Sequence, residues 1–115
     1  MNHLDKIKAE LVDGETIVAT VAGTRTDTPV STSGTVRGTL VLTDSRLIFS
    51  GNNWGAKVST STPLKQVTSI DLRKNLMTAH LQVTLAGGFD RYMVKYNDAE
   101  PFAAAAHKAL YAIHE

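Results

Sequence analysis

The 115-residue sequence contains no cysteine, which excludes disulfides, thiolate metal sites and cysteine nucleophiles. It also lacks a long apolar run. Stretches such as Ala103–Ala106 fall far short of the roughly 20 residues that a membrane-spanning helix needs. The opening residues, Met1-Asn2-His3-Leu4-Asp5-Lys6, have no apolar signal core, so the expected address is cytoplasmic. Net charge is small, +1 from 12 basic and 11 acidic side chains. Residues 16–97 nevertheless hold nine basic against four acidic side chains, and each end is net acidic. That middle section could attract an anionic surface, but it lacks the dense basic stripe of nucleic-acid binders, which argues against nucleic acid as partner.

The motifs of catalysis are missing too. There is no Gly-x-Ser-x-Gly elbow and no phosphate-cradling Gly-Lys-Ser/Thr loop. His80, Asp71 and Asp90 have no local pattern that would join them to a nucleophile. His107 and His114 are seven residues apart, about 10 Å along a helix, too far to share a metal. His3 and His80 lie elsewhere without an Asp/Glu–His pattern. No enzyme, metal or cofactor is expected.

What is present fits one globular domain spanning residues 1–115. Apolar residues make up 43% and charged residues 20%, and this length buries a single core without staples. Asn2 to Val12 reads as a short helix, with Leu4, Ile7 and Leu11 at helical spacing. Gly14 stands where a left-handed cap would follow. From Thr16 the period becomes two, with Ile17, Ala19 and Val21 on one face. Gly23 to Thr35, rich in Thr, Ser and Gly, reads as a long loop. Gly38 to Gly51 reads as a hairpin about Asp44-Ser45, pairing Leu42 with Leu47 and Leu40 with Phe49. Lys57 to Thr62 is a polar strand expected near an edge. Leu64 to Arg73 is a further strand, and Lys74 to Thr78 connects onward. Ala79 to Tyr96 reads as a hairpin about Gly87-Gly88, with Val83 opposite Tyr92 and Leu81 opposite Val94. Asp98 to Glu115 is helical, with Pro101 in its first turn and an apolar stripe of Phe102, Ala106, Ala109, Leu110 and Ile113.

Several segments carry a resemblance. Leu11-Val12-Asp13-Gly14-Glu15-Thr16-Ile17 is similar to the Leu-x-x-Gly-Glu-x-Ile entry of bacterial pleckstrin-homology domains. Gly38-Thr39-Leu40-Val41-Leu42-Thr43-Asp44-Ser45-Arg46-Leu47-Ile48-Phe49 resembles their Gly-x-Leu-x-Leu-Thr-x-x-Arg-Leu-Ile-Phe hairpin, which GRAM domains share. Pro63 to Ile70 and Asp98-Ala99-Glu100-Pro101-Phe102 resemble the next strand and the helix entry. The likeness spans residues 10–113 and is strongest to the YokE-like group. It implies an α+β, pleckstrin-homology-like fold: a bent antiparallel barrel of about seven strands over residues 16–96. A C-terminal capping helix over 98–114 and a short N-terminal helix over 1–13 would complete it. Phe102, Leu110 and Ile113 would then plug the barrel against Leu40, Leu42, Phe49 and Val83. The wider group binds phosphoinositides, peptides or proteins, and some members form rings. Fold alone does not choose among these roles.

The sequence therefore points to a non-enzymatic module for a peptide or protein partner, self-assembly included. The alternative is a peripheral membrane adaptor that binds anionic lipid weakly. Trp54, on a turn, either anchors a partner or folds back over the barrel mouth. Arg25 and Arg37 are the only basic residues from Thr16 to Leu42, so the convergent cluster of phosphoinositide binders is absent. Lys57, Lys65, Arg73, Lys74, Arg91 and Lys95 could form a weak basic patch. The candidate partner-binding residues are thus Trp54, Arg25, Arg37, Lys57 and Arg91. Arg46 is expected to act structurally, its planar fork holding a carboxylate or carbonyl.

Overall fold

The structure is a computed structural model, and it describes residues 11, 14–27, 36–53 and 56–114. Seven strands precede one helix. They are β1 (Ile17–Asp27), β2 (Val36–Thr43), β3 (Arg46–Asn53), β4 (Ala56–Pro63), β5 (Val67–Lys74), β6 (Ala79–Leu85) and β7 (Gly88–Val94). A single 3₁₀ turn, Leu64–Gln66, links β4 to β5, and helix α1 spans Tyr96–His114. All neighbouring strands are antiparallel, in the order β4-β3-β2-β1-β7-β6-β5.

β1 is the seam of this sheet. It pairs with β2 from Ile17 to Arg25 and with β7 from Gly23 to Asp27. Gly23 to Asp27, expected as the start of a loop, continues β1 instead. Thr and Arg in this stretch pair on both sides, and cross-strand pairing outweighs the polarity that suggested a loop. A bulge between Ile17 and Ala19 also removes Ile17 from the face of Ala19 and Val21. Ile17 packs with Leu11 against Val41 and Ile48 on the outer face of β2–β3. The expected N-terminal helix lies outside the described residues except for Leu11, which belongs to no helix or strand. Gly14 has φ of 84°, in the left-handed region where glycine carries no Cβ penalty.

The β2–β3 hairpin has the expected register, Leu42 against Leu47 and Leu40 against Phe49, and all four side chains are buried. The β6–β7 hairpin has the expected faces but a different register. Ala86-Gly87 forms the turn, so Val83 opposes Asp90, Leu81 opposes Tyr92 and Ala79 opposes Val94. A shift of two residues leaves every side chain on its own face, so the apolar pattern does not distinguish the two pairings.

α1 begins two residues earlier than the spacing suggested, which places Pro101 inside the helix rather than in its first turn. It closes the core with Ala99, Phe102, Ala103, Ala106 and Leu110, and Ile113 packs at its margin. These side chains share one cluster with Leu40, Leu42, Phe49 and Val83, as expected, and with Leu64, Val67 and Ile70. A ring nitrogen of His107 also hydrogen-bonds the Ile70 carbonyl oxygen, tying α1 to β5. The result is a seven-stranded pleckstrin-homology-like sheet with one C-terminal helix.

Candidate functional site

Two segments singled out in the sequence meet at the β2–β3 turn. Arg46 Nε donates to Glu15 Oε2 at 2.8 Å, and a terminal guanidinium nitrogen donates to Glu15 Oε1 at 2.9 Å. The Glu15 side chain is 1% exposed. Thr43 donates its hydroxyl to the same carboxylate at 2.6 Å and accepts the amides of Ser45 and Arg46. Arg46 also donates to the Ser61 hydroxyl on β4. The bidentate pair matches the geometry of guanidinium to that of carboxylate and spares a buried charge from going unpaired. The expected structural role of Arg46 is what the structure shows, and Glu15 is its carboxylate.

Arg25 is placed differently from a free surface cation. It lies in β1 opposite Tyr92 and donates to Asp90 Oδ1 at 2.9 Å, with both side chains largely covered. Arg25 Nε is buried without a partner. Tyr92 sits below, its ring 5.3 Å from that of Phe49. Burial chiefly, with the nearby Asp90 charge, pushes the Tyr92 hydroxyl up to about 12. Arg25 and a hydrogen bond with Thr60 oppose that shift.

The outer face of the sheet gathers the remaining cations differently from the proposed patch. One register row crosses five strands as Arg73, His80, Met93, Thr24 and Arg37, and continues at the same register to Asn52 and Lys57. Antiparallel partners share a face, so Arg73, Met93 and Arg37 stand on one surface. Beside this row is a concavity of about 420 Å³ formed where β7 leaves β1. Its walls include Gly23, Arg37, Met77, Met93, Val94 and Lys95, and none of its lining residues is acidic. Arg91 lies on the same face one row away, donating to Gln82 Oε1 at 3.1 Å, with its guanidinium 5.3 Å from the Phe89 ring centroid. Lys74 instead reaches α1, where it bonds Glu100 at 2.8 Å and covers the Tyr96 ring. That hydrogen bond raises the Lys74 pKa and lowers that of Glu100. Lys65 lines a separate hollow with Asp44, Arg46 and Ile113. The six-residue patch is therefore split between surfaces. The side chains of Trp54 and Lys57 lie outside the described residues, although the Lys57 backbone pairs with Asn52.

No sequence motif marks the β5–β6 connection, Asn75–Thr78. Leu76 and Met77 there are 96% and 86% exposed. Two large apolar residues side by side in a short connector, outside any periodic pattern, were the available signal. Among the described residues no group of three His, Asp or Glu could hold a metal ion.

Comparison with known proteins places this geometry. The sequence model of the GRAM domain matches residues 3–102. No curated protein matches the chain. Among solved structures, the chain is similar to the Vps36 N-terminal PH domain, with a TM-score of 0.69 at 18% identity over 90% of this chain and 84% of that one. It is similar to the pleckstrin homology domain of USP37, with a TM-score of 0.60 at 14% identity over 83% and 99% of the two chains. A DUF1696 family protein with a pleckstrin-homology domain from Shewanella loihica aligns with a TM-score of 0.54 at 18% identity, over 90% and 96%. At these identities the structural likeness establishes the fold.

Proposed function

The chain belongs to the GRAM domain family, and from that premise we propose that it is a non-enzymatic interaction module that pairs a peptide or protein segment with its β4 edge. The observation that carries this reading is the edge itself. β4 ends the sheet, and its register with β3 runs unbroken from Arg46–Pro63 to Asn53–Ala56. Among the described residues no strand pairs with its other side. Ser59 and Ser61 on this strand are exposed and uncharged. Such a regular edge offers unpaired N–H and C=O groups to an incoming strand, and charge does not guard its centre. A second copy of the chain is one occupant that this edge admits.

Light scattering coupled to size exclusion, at low and high salt, tests the self-assembly form. An oligomer held by main-chain pairing persists at high salt, and Ser59→Lys on β4 reduces it. If the chain is monomeric, extended peptides selected from a displayed library should protect β4 amides from hydrogen exchange. No oligomer and no peptide-dependent protection of β4 would remove the edge from the function.

A further inference from the structure

We propose that the outer face of the sheet is a platform for single-stranded nucleic acid, with Arg37, Arg73 and Lys95 meeting its phosphates and a base lodged in the hollow beside Met77 and Met93. This goes beyond the edge reading, uses another surface, and stands or falls independently of it.

Three observations converge on this face. The first is the row of side chains that crosses it. The chain has no dense basic stripe in sequence, but strand pairing builds a sparse one in space. Arg73, His80, Met93, Thr24 and Arg37 follow one another on β5, β6, β7, β1 and β2. Four strand gaps of about 4.8 Å set Arg73 and Arg37 about 19 Å apart along the sheet, within the reach of a short single strand. Arg37, Arg73 and Lys95 are exposed, and the row holds no carboxylate. Asp71 and Asp27 lie one row off, opposite Gln82 and Arg91 respectively. On α1, Glu100 is engaged by Lys74, and Asp98 stands in the first turn.

The second observation is the hollow. It holds about 420 Å³, in the range of small-molecule clefts, and its charged walls are Arg37 and Lys95. Met77 and Met93 give it polarizable apolar sides. A closed turn holds Met77 there. Asn75 N donates to the Thr78 carbonyl at 3.0 Å, and Asn75 Oδ1 accepts the Thr78 amide at 3.0 Å. The third observation is a stacking surface. Along the outer face of β7 run Met93, Arg91 and Phe89. Phe89 is 40% exposed, and the Arg91 guanidinium lies 5.3 Å from its ring centroid. Unpaired bases stack on aromatic rings and guanidinium planes of this kind, whatever their sequence.

Charge and position in the sheet select the occupant. An extended acidic peptide would draw affinity from main-chain pairing, but β6, β7, β1 and β2 are each paired on both sides, so this face offers it no backbone edge. A duplex presents phosphates but keeps its bases stacked inside, which leaves the methionine-walled hollow and Phe89 unused. A single strand offers phosphates to the cations and open base faces to the apolar surface at once.

Fluorescence anisotropy with the full chain and labelled oligonucleotides of roughly 12 residues tests the proposal. Oligouridylate and oligothymidylate should both bind at low salt. Binding should weaken roughly tenfold or more between about 50 and 200 mM salt, as three phosphate contacts require. Arg37→Ala/Arg73→Ala should weaken binding about tenfold and flatten that salt dependence, with the melting temperature in place because both side chains are exposed. Phe89→Ser should weaken binding about fivefold or more and leave the salt slope unchanged. A hairpin duplex should bind more weakly than either single strand. Failure of both oligonucleotides to bind overturns the platform. So does equal or tighter binding of the duplex, or wild-type affinity in Arg37→Ala/Arg73→Ala. Full displacement of the oligonucleotide by polyglutamate at matched charge would make the face a general polyanion contact instead.

Discussion

At the scale of single residues, the polar cluster at the β2–β3 turn shows how a short motif becomes architecture. Arg46 was legible as structural because a planar five-donor fork beside a tight turn usually holds an oxygen pair. Its partner was not legible, because Glu15 is 31 residues away and only the folded sheet brings them together. Arg46→Ala leaves the Glu15 carboxylate buried and should cost about 3–5 kcal/mol in denaturant unfolding. Arg46→Lys should recover only part of that loss, since an ammonium cannot bridge both oxygens. Gly38 is constrained by space rather than charge. A Cβ there would overlap the Ser50 carbonyl and come within 2.7 Å of the Gly51 Cα. Backbone cannot yield as a side chain can, so Gly38→Ala should destabilise by about 1–3 kcal/mol or more. Tyr92 supplies a pH test. Its folded pKa lies at about 12 against an ordinary 10, so the native state holds this proton more tightly than the unfolded chain. The associated stability is complete below about pH 10 and is lost as pH rises through about 12, a change of about 2–3 kcal/mol. Tyr92→Phe should flatten that loss in denaturant midpoints measured from pH 8 upward. A slope unchanged by Tyr92→Phe would place the titration elsewhere.

At the scale of elements, periodicity read the strands and their faces but not every pairing. A one-residue slip in β6–β7 would have turned the apolar set of one strand, Leu81 and Val83 or Tyr92 and Val94, to solvent, so the pattern forbids it. A two-residue slip leaves them inside, and only the turn at Ala86-Gly87 decides. The β1 bulge escaped for a related reason: strict alternation has no place for an inserted residue. The apolar stripe of α1 starts at Phe102 in the sequence, so Ala99 falls before it, and within the unbroken alanine run 103–106 residue type alone does not show that Ala103 is buried beside Ala106. Leu76 and Met77 escaped because a local pattern says nothing about what a connector meets in space. The anchor of α1 gives the prediction at this scale. Leu110 is 8% exposed and belongs to the main core cluster. Leu110→Ala should therefore cost about 2–5 kcal/mol. An unchanged melting temperature for that variant would mean that α1 does not depend on this contact.

At the scale of the whole molecule, the strand order makes the two ends of the chain interdependent. β1 pairs with β2 by local chain reversal but with β7 only after most of the sequence has been threaded. Helix α1, last in sequence, covers Leu64, Val67 and Ile70, and these share one cluster with Leu40 and Phe49 on the other side of β1. Neither half of the sheet therefore has a core of its own, and pairings of this range make folding slow, in the millisecond-to-second regime. Unfolding should then be a single event. Far-ultraviolet and near-ultraviolet dichroism should follow superimposable denaturant curves, as expected for one cooperative domain. A chain ending at Lys95 should lose that transition and bind a hydrophobic dye, because removing Ala99, Phe102, Ala103, Ala106 and Leu110 exposes β5 and β6. If α1 instead melted first and left a cooperative sheet behind, the sheet would hold its own core. The contact between α1 and β5 would then be an accessory rather than the closing layer of the fold.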